Sequence, residues 1–243
     1  MLISHRKRFI YTKTVKTGGT SVEAYFEPYC MPEGEWSFAH ERDEYISEAG
    51  IIGCRGLNRQ GKTWFNHMPA RRIKRQLGKP IWHDYFKFCV IRNPFDKLVS
   101  AFHFFEHRFQ IEGKFPRTKR MVMDEAAFLG AIEGQSIEER FRLWIAAGGG
   151  VDDRNKYMID GEICVDFFIR QERLAEDVEA VCDRLHLPFE PERIPRLKSG
   201  VRPGDRQFSD YYDAGAIARV EQDYALELNL FHYTSPVLSG SVE

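Results

Sequence analysis

The sequence predicts an α/β fold with a central, mainly parallel β-sheet flanked by helices. Three observations carry this. Short aromatic and β-branched runs alternate with helix-length amphipathic stretches, the pattern of strand–helix–strand units. A glycine turn, Thr17-Gly18-Gly19-Thr20, separates the first clear strand from a helix start. An Asn-Pro pair, Asn93-Pro94, joins the strongest strand to a long helix.

Phe9-Ile10-Tyr11-Thr12 reads as a short buried strand, and a helix begins at Ser21 and reaches Phe26. Residues 30 to 66 are irregular and glycine-rich, a length of weak pattern that marks functional loops or an insertion. Pro69 to Leu77 is expected to be a short helix with proline in its first turn and Gly78 as its stop. Tyr85 to Ile91 is the clearest strand. Asn93 then caps a helix that opens on Pro94 and carries a Leu98, Phe102, Phe105 stripe. A helical region is expected from Asp124 to Ala147, ended by Gly148-Gly149-Gly150. Cys164 to Ile169 reads as a strand, and Leu174–Leu185 and Asp213–Leu228 as helices.

A chain of 243 residues that is 43% hydrophobic can bury one sizeable core, so a single domain over residues 1–243 is expected. The net charge of −1 argues against a polyanion binder, and no nucleic-acid module appears. Basic residues nevertheless cluster at Arg6-Lys7-Arg8, at Arg71-Arg72 with Lys74-Arg75, and at Lys114, Arg117, Lys119 and Arg120. Local patches on a neutral chain suit an anion held in one cleft, although a solvated helix face accounts for any one patch alone. The five cysteines are odd in number and show no CxxC spacing, which points to a reducing compartment without structural disulfides. No apolar leader follows Met1, and no run approaches the roughly 18 apolar residues of a membrane span, so a soluble cytoplasmic protein is expected. No metal-binding cluster is evident, and nothing sets an oligomeric state.

Lys16-Thr17-Gly18-Gly19-Thr20-Ser21 carries the most chemistry. A glycine loop between strand and helix exposes successive backbone N–H groups at the positive end of a helix dipole, which makes an anion site. Lys16 adds a mobile cation, and Thr20 and Ser21 add hydroxyl donors. The pattern is not the ATPase loop, because the lysine precedes the glycines and no Gly-Lys-Ser/Thr follows them. Taken alone, a glycine turn beside an exposed lysine would look the same. Arg92 stands at a strand end beside a helix start, with Ser100 two turns into that helix; a planar guanidinium and a hydroxyl so placed suit a second phosphate. Asp96 reads as a partner of the helix dipole.

The two segments together resemble the sulfotransferases that use 3′-phosphoadenosine 5′-phosphosulfate (PAPS). Lys16 to Ser21 resembles their 5′-phosphosulfate loop, and Arg92-Asn93-Pro94-Phe95-Asp96-Lys97-Leu98-Val99-Ser100 resembles their 3′-phosphate motif. His67-Met68-Pro69-Ala70, Ile81-Trp82 and Tyr85-Phe86-Lys87-Phe88 resemble the carbohydrate branch that includes uronyl 2-O-sulfotransferases and bacterial relatives. Arg170-Gln171-Glu172-Arg173-Leu174 and the closing Leu230-Phe231-His232-Tyr233 resemble later family elements, with Gln171 where an aromatic is common and His232 where glycine is common. The likeness spans most of the chain outside residues 30–66 and 108–160.

The resemblance implies a P-loop-NTPase-like sandwich, PAPS as sulfuryl donor, the bisphosphate PAP as product, no metal, and a carbohydrate hydroxyl as acceptor. It implies that Lys16 binds the phosphosulfate and stabilises the leaving oxygen, and that Arg92 and Ser100 bind the 3′-phosphate. Sulfuryl transfer is an in-line displacement in which positioning and electrostatics dominate. The acceptor hydroxyl needs a general base, for which His67 is the first candidate and His40 the second; His83, beside Trp82, reads as structural. Lys198-Ser199-Gly200 with Arg202 and Arg206 could close over a nucleotide, and Arg71, Arg72 and Arg75 could hold an acidic acceptor. Two other classes fit part of the pattern: a P-loop nucleotide kinase, which would need Mg²⁺, and a non-catalytic binder of anionic polymers, which would have no affinity for PAP.

Overall fold

The computed structural model describes residues 1–56, 58–112, 121, 123–195 and 206–238. They form two compact units, Met1–Ile91 with Asp152–Leu197, and Arg92–Val151 with Lys198–Glu243.

The first unit contains the whole sheet. Its elements are β1 (Leu2–Ser4), β2 (Phe9–Thr12), α1 (Gly19–Phe26), β3 (Tyr45–Ile46), β4 (Gly50–Ile52), α2 (Ala70–Leu77), α3 (Lys79–Asp84) and β5 (Phe86–Ile91). The chain returns to it with α7 (Arg154–Tyr157), a hairpin of β6 (Met158–Ile159) and β7 (Glu162–Ile163), β8 (Phe167–Arg170) and α8 (Leu174–Leu185). Strand order is β3-β4-β1-β2-β5-β8. The sheet is mixed: β2, β5 and β8 are parallel, with Thr12 opposite Cys89 and Ile91 opposite Arg170, while β1, β4 and β3 add antiparallel strands on one side.

Side chains alternate between the two faces of a strand, and here both faces are covered. Leu2, Phe9, Tyr11, Phe88, Val90 and Ile169 pack on one face with Val22, Tyr25 and Phe26 of α1 and Val178, Val181 and Cys182 of α8. Met1, Ile3, Ile10 and Ile51 pack on the other with Ile73 of α2 and Trp82 of α3. This is the expected α/β sandwich. The expected strand Cys164–Ile169 begins later, at Phe167, because β7 ends at Ile163 and Val165 and Asp166 lie in the connection. Pro69 is the N-cap of α2, in extended conformation, and Gly78 ends that helix with φ 80°.

The second unit is helical: α4 (Pro94–Glu112), α5 (Glu125–Ile132), α6 (Ile137–Ala146), α9 (Ala214–Asp223) and α10 (Ala225–Phe231). Asn93 Oδ1 accepts the Phe95 N–H at 3.0 Å, so the expected cap on α4 is present. Leu98 and Phe102 are fully buried, and Phe102 meets Phe141 edge-on with ring centroids 5.4 Å apart. The helical region expected from Asp124 to Ala147 holds two helices, each with its own cap: Asp124 on the Ala127 N–H and Ser136 on the Glu139 N–H. Gly134, at φ 71°, supplies the turn between them. Arg206 pairs with Glu138. Lys114, Arg117, Lys119 and Arg120, and Lys198-Ser199-Gly200 with Arg202, lie outside the described residues.

Candidate active site

In the first unit, the parallel strands β2, β5 and β8 end on the same side of the sheet, β2 running into residues 13–18 and β8 into Gln171. Carboxyl ends of parallel strands are where α/β sheets place their ligands.

The loop after β2 is held from several sides. Thr14 Oγ1 donates to the Val90 carbonyl of β5, so its bond to Thr17 Oγ1, at 2.7 Å, takes the Thr17 proton. Both threonines are buried. The Thr17 hydroxyl donor is thereby used inside the protein, and what Thr17 can offer an anion is its backbone N–H. Asp153 Oδ2, buried at the start of α7, accepts the Val15 N–H at 2.9 Å. Tyr11 Oη donates to the Gly19 carbonyl at 3.0 Å; burial raises its pKa well above the usual phenol value and keeps the donor protonated. A Cβ on Gly19 would sit 2.6 Å from that oxygen, so this close approach requires glycine. Gly18, at φ 75°, is the N-cap of α1 and has no side chain to satisfy the first-turn N–H groups. Gln171 lies against Gly18: a Cβ there would meet its Cγ at 3.3 Å. The N–H groups of Gly19 and Thr20, Lys16, and the Thr20 and Ser21 hydroxyls are the donors this loop offers to a phosphate or sulfate ester.

His67 comes to this loop. Its Nδ1 lies 3.2 Å from the Lys13 carbonyl oxygen. A carbonyl only accepts, so Nδ1 carries the proton and Nε2 the lone pair. Burial first, and then the Lys13 charge, lower the His67 pKa to about 4, so the ring is neutral at physiological pH.

Lys16 and His67 share an unusual backbone. Both lie in the left-handed region, at φ 61° and 58°. The other non-glycine residues there have local reasons: His186 and His232 are helix C-caps, and Arg8 and Asp160 stand in the β1–β2 and β6–β7 turns. The His232 cap also explains why glycine is common at that position. His67 likewise stands in a turn, at Asn66-His67, and Lys16 in the bend before the glycines; left-handed backbone at side-chain-bearing residues, costing about 1–3 kcal/mol each, collects at functional sites. His40, the second candidate base, is exposed, and its carbonyl accepts from Arg55 Nε at 3.0 Å. His83 is exposed at the end of α3.

In the second unit, Arg92 Nε donates to Asp96 Oδ2 at 2.7 Å. Asp96 and Ser100 stand four residues apart on α4 and so share one face of it, and Arg92, two residues before the helix, pairs with Asp96. Asp96 therefore orients the guanidinium, a role beyond the dipole partner expected of it. The sequence reading missed Lys13, Asp153 and Tyr11; Asp153 lies 138 positions from the backbone it holds, and no local pattern connects them.

No helix among the described residues is long and apolar enough to cross a membrane. A model of the sulfotransferase family matches residues 1–128, a span that takes in Lys16, His67, Arg92 and Ser100. No curated protein shows significant sequence similarity to the chain. Among solved structures, the crystal structure of mouse sulfotransferase SULT7A1 complexed with PAP aligns over 93% of this chain and 86% of its own, at 11% identity and a TM-score of 0.41. That likeness is too distant to carry an argument; the family match spans more than half of the chain. The chain belongs to the sulfotransferase family.

Proposed function

We propose that this sulfotransferase moves a sulfuryl group from PAPS to a hydroxyl of a carbohydrate acceptor, with His67 as general base and Lys16 at the leaving phosphate. The observation that carries the proposal is the meeting of His67 with the phosphate loop at the Lys13 carbonyl. The donor supplies an electrophilic sulfuryl group and a 5′-phosphate that departs. The N–H groups of Gly18, Gly19 and Thr20, the Ser21 hydroxyl and Lys16 hold the phosphosulfate end, and Lys16 offsets the negative charge that grows there. Arg92 and Ser100 hold the 3′-phosphate, with Asp96 fixing the guanidinium in place. His67 Nε2 takes the acceptor proton. A resting pKa of about 4 keeps that nitrogen unprotonated, and anionic groups brought to the loop raise its affinity for the proton during the reaction. The carbohydrate acceptor rests on the likeness of the His67-Met68-Pro69-Ala70 segment to the carbohydrate branch.

Calorimetric titration with PAP tests the donor site. Wild type is expected to bind in the micromolar range, and Arg92→Ala to lose about tenfold or more, the scale of a charge-assisted pair. No binding by wild type would overturn the donor reading. His67→Ala tests the base: kcat is expected to fall about 10²- to 10⁴-fold with PAP affinity kept.

A further inference from the structure

Lys13 is a buried charge for which the proposed chemistry has no use. It follows β2 directly, is 4% exposed, and places its Nζ 2.6 Å from Glu23 Oε2 on α1. Glu23 is fully buried and also takes Arg55 Nη1 and the Met1 amino group, each at 2.7 Å. Burial pushes the Glu23 pKa up, but Lys13, the Met1 amine and Arg55 together hold it well below the usual carboxylate range. The Lys13 ammonium therefore faces an ionised partner in the core. Its backbone does something else: the carbonyl accepts the His67 ring proton.

We infer that Lys13 is a positioning residue for His67, with its side chain clamped to Glu23 so that its carbonyl holds the proton on Nδ1 and leaves the lone pair on Nε2. One residue thus ties the end of β2 to α1 and to the base. The clamp works electrostatically as well as mechanically. The charged groups that act on the ring are Lys13 and the Met1 amine, which disfavour its protonation, and Asp153 and Glu23, which favour it. Burial does most to disfavour protonation of the ring, and Lys13 does more than the Met1 amine. A lysine that only filled space would do none of this.

The inference rests on His67 as the base, and the experiment separates the two. The His67 ring in the whole chain is followed by nuclear magnetic resonance, with His67→Gln assigning the signal. Wild type is expected to show the Nδ1-protonated tautomer and a midpoint near pH 4. Lys13→Met is expected to move that midpoint toward the ordinary 6.5, to mix the tautomers and to lower kcat about tenfold with a smaller change in PAP affinity. Lys13→Arg, which keeps the charge, is expected to restore the low midpoint. A folded Lys13→Met with an unmoved midpoint and unchanged kcat overturns the inference. So does an Nε2-protonated ring in wild type, a result that needs no variant to fold. If His67→Gln keeps its kcat, the base assignment fails while the ring titration still reports on the clamp.

Discussion

Asp153 shows how a residue far from a motif can set its shape. Its buried carboxylate takes the Val15 N–H one position before Lys16. Removing the acceptor orphans a backbone N–H, at a cost of about 1–3 kcal/mol. Asp153→Ala is therefore expected to weaken PAP binding about tenfold by calorimetry, and Asp153→Asn, which keeps a carbonyl oxygen, to weaken it less. An Asp153→Ala variant with wild-type affinity would show that the loop keeps its shape unaided. Lys16, Arg92 and His67 were legible in the sequence because each lies in or beside a recognisable local pattern. Lys13, Tyr11 and Asp153 were not, because their roles exist only once β2 stands beside β5, α1 and α7. Thr17 was legible as a loop residue, yet its hydroxyl turns inward to Thr14, and only three-dimensional packing decides that.

At the scale of elements, legibility followed the strength of periodicity. The helix Leu174–Leu185 has the bounds read from the sequence, since Val178, Val181 and Cys182 keep one phase against the sheet. The strand β5 stood out for its apolar run Phe88-Cys89-Val90-Ile91, the mark of a strand covered on both faces. The stretch read as one helix from Asp213 became α9 and α10, with Tyr224 between them in a non-helical conformation. Tyr224 Oη donates to the Val151 carbonyl and accepts the Val151 N–H, each at 2.8 Å, and that long-range pair had no sequence signature. β1 went unread because three residues give too little alternation to register. The glycine run after α6 was read as a stop, and the structure adds a second reason for it. A Cβ on Gly149 would lie 2.3 Å from the Trp144 ring, which is wholly buried. Gly149→Ala is expected to destabilise the protein by about 1–3 kcal/mol through overpacking. A lower urea midpoint checks it, and Gly130→Ala, where a Cβ meets nothing within 4 Å, is the matched control.

Over the whole molecule, the groups that shape the loop also make stability depend on pH. Burial and Lys13 lower the His67 pKa from 6.5 to about 4 in the folded chain, so between these values the unfolded chain binds a proton that the folded one refuses. Stability is then greatest above pH 6.5 and is lost as pH falls toward 4, with a slope approaching about 1.4 kcal/mol per pH unit for one proton. Solvent screening of a partly exposed ring trims the total to roughly 2–3 kcal/mol. Glu23 acts in the same sense at lower pH: its folded pKa lies below the ordinary 4.5, so its contribution is present above that value and lost as pH falls through the folded pKa. His5, lowered by burial, adds to the loss near neutrality. Urea unfolding at pH 7 and pH 5 separates the terms. Wild type is expected to lose about 1–2 kcal/mol more than His67→Gln between these two pH values, because glutamine has no proton to take up on unfolding. Equal losses in both proteins would mean that His67 titrates alike in the folded and unfolded chains, and would remove the electrostatic ground for treating it as a ring held neutral beside the loop.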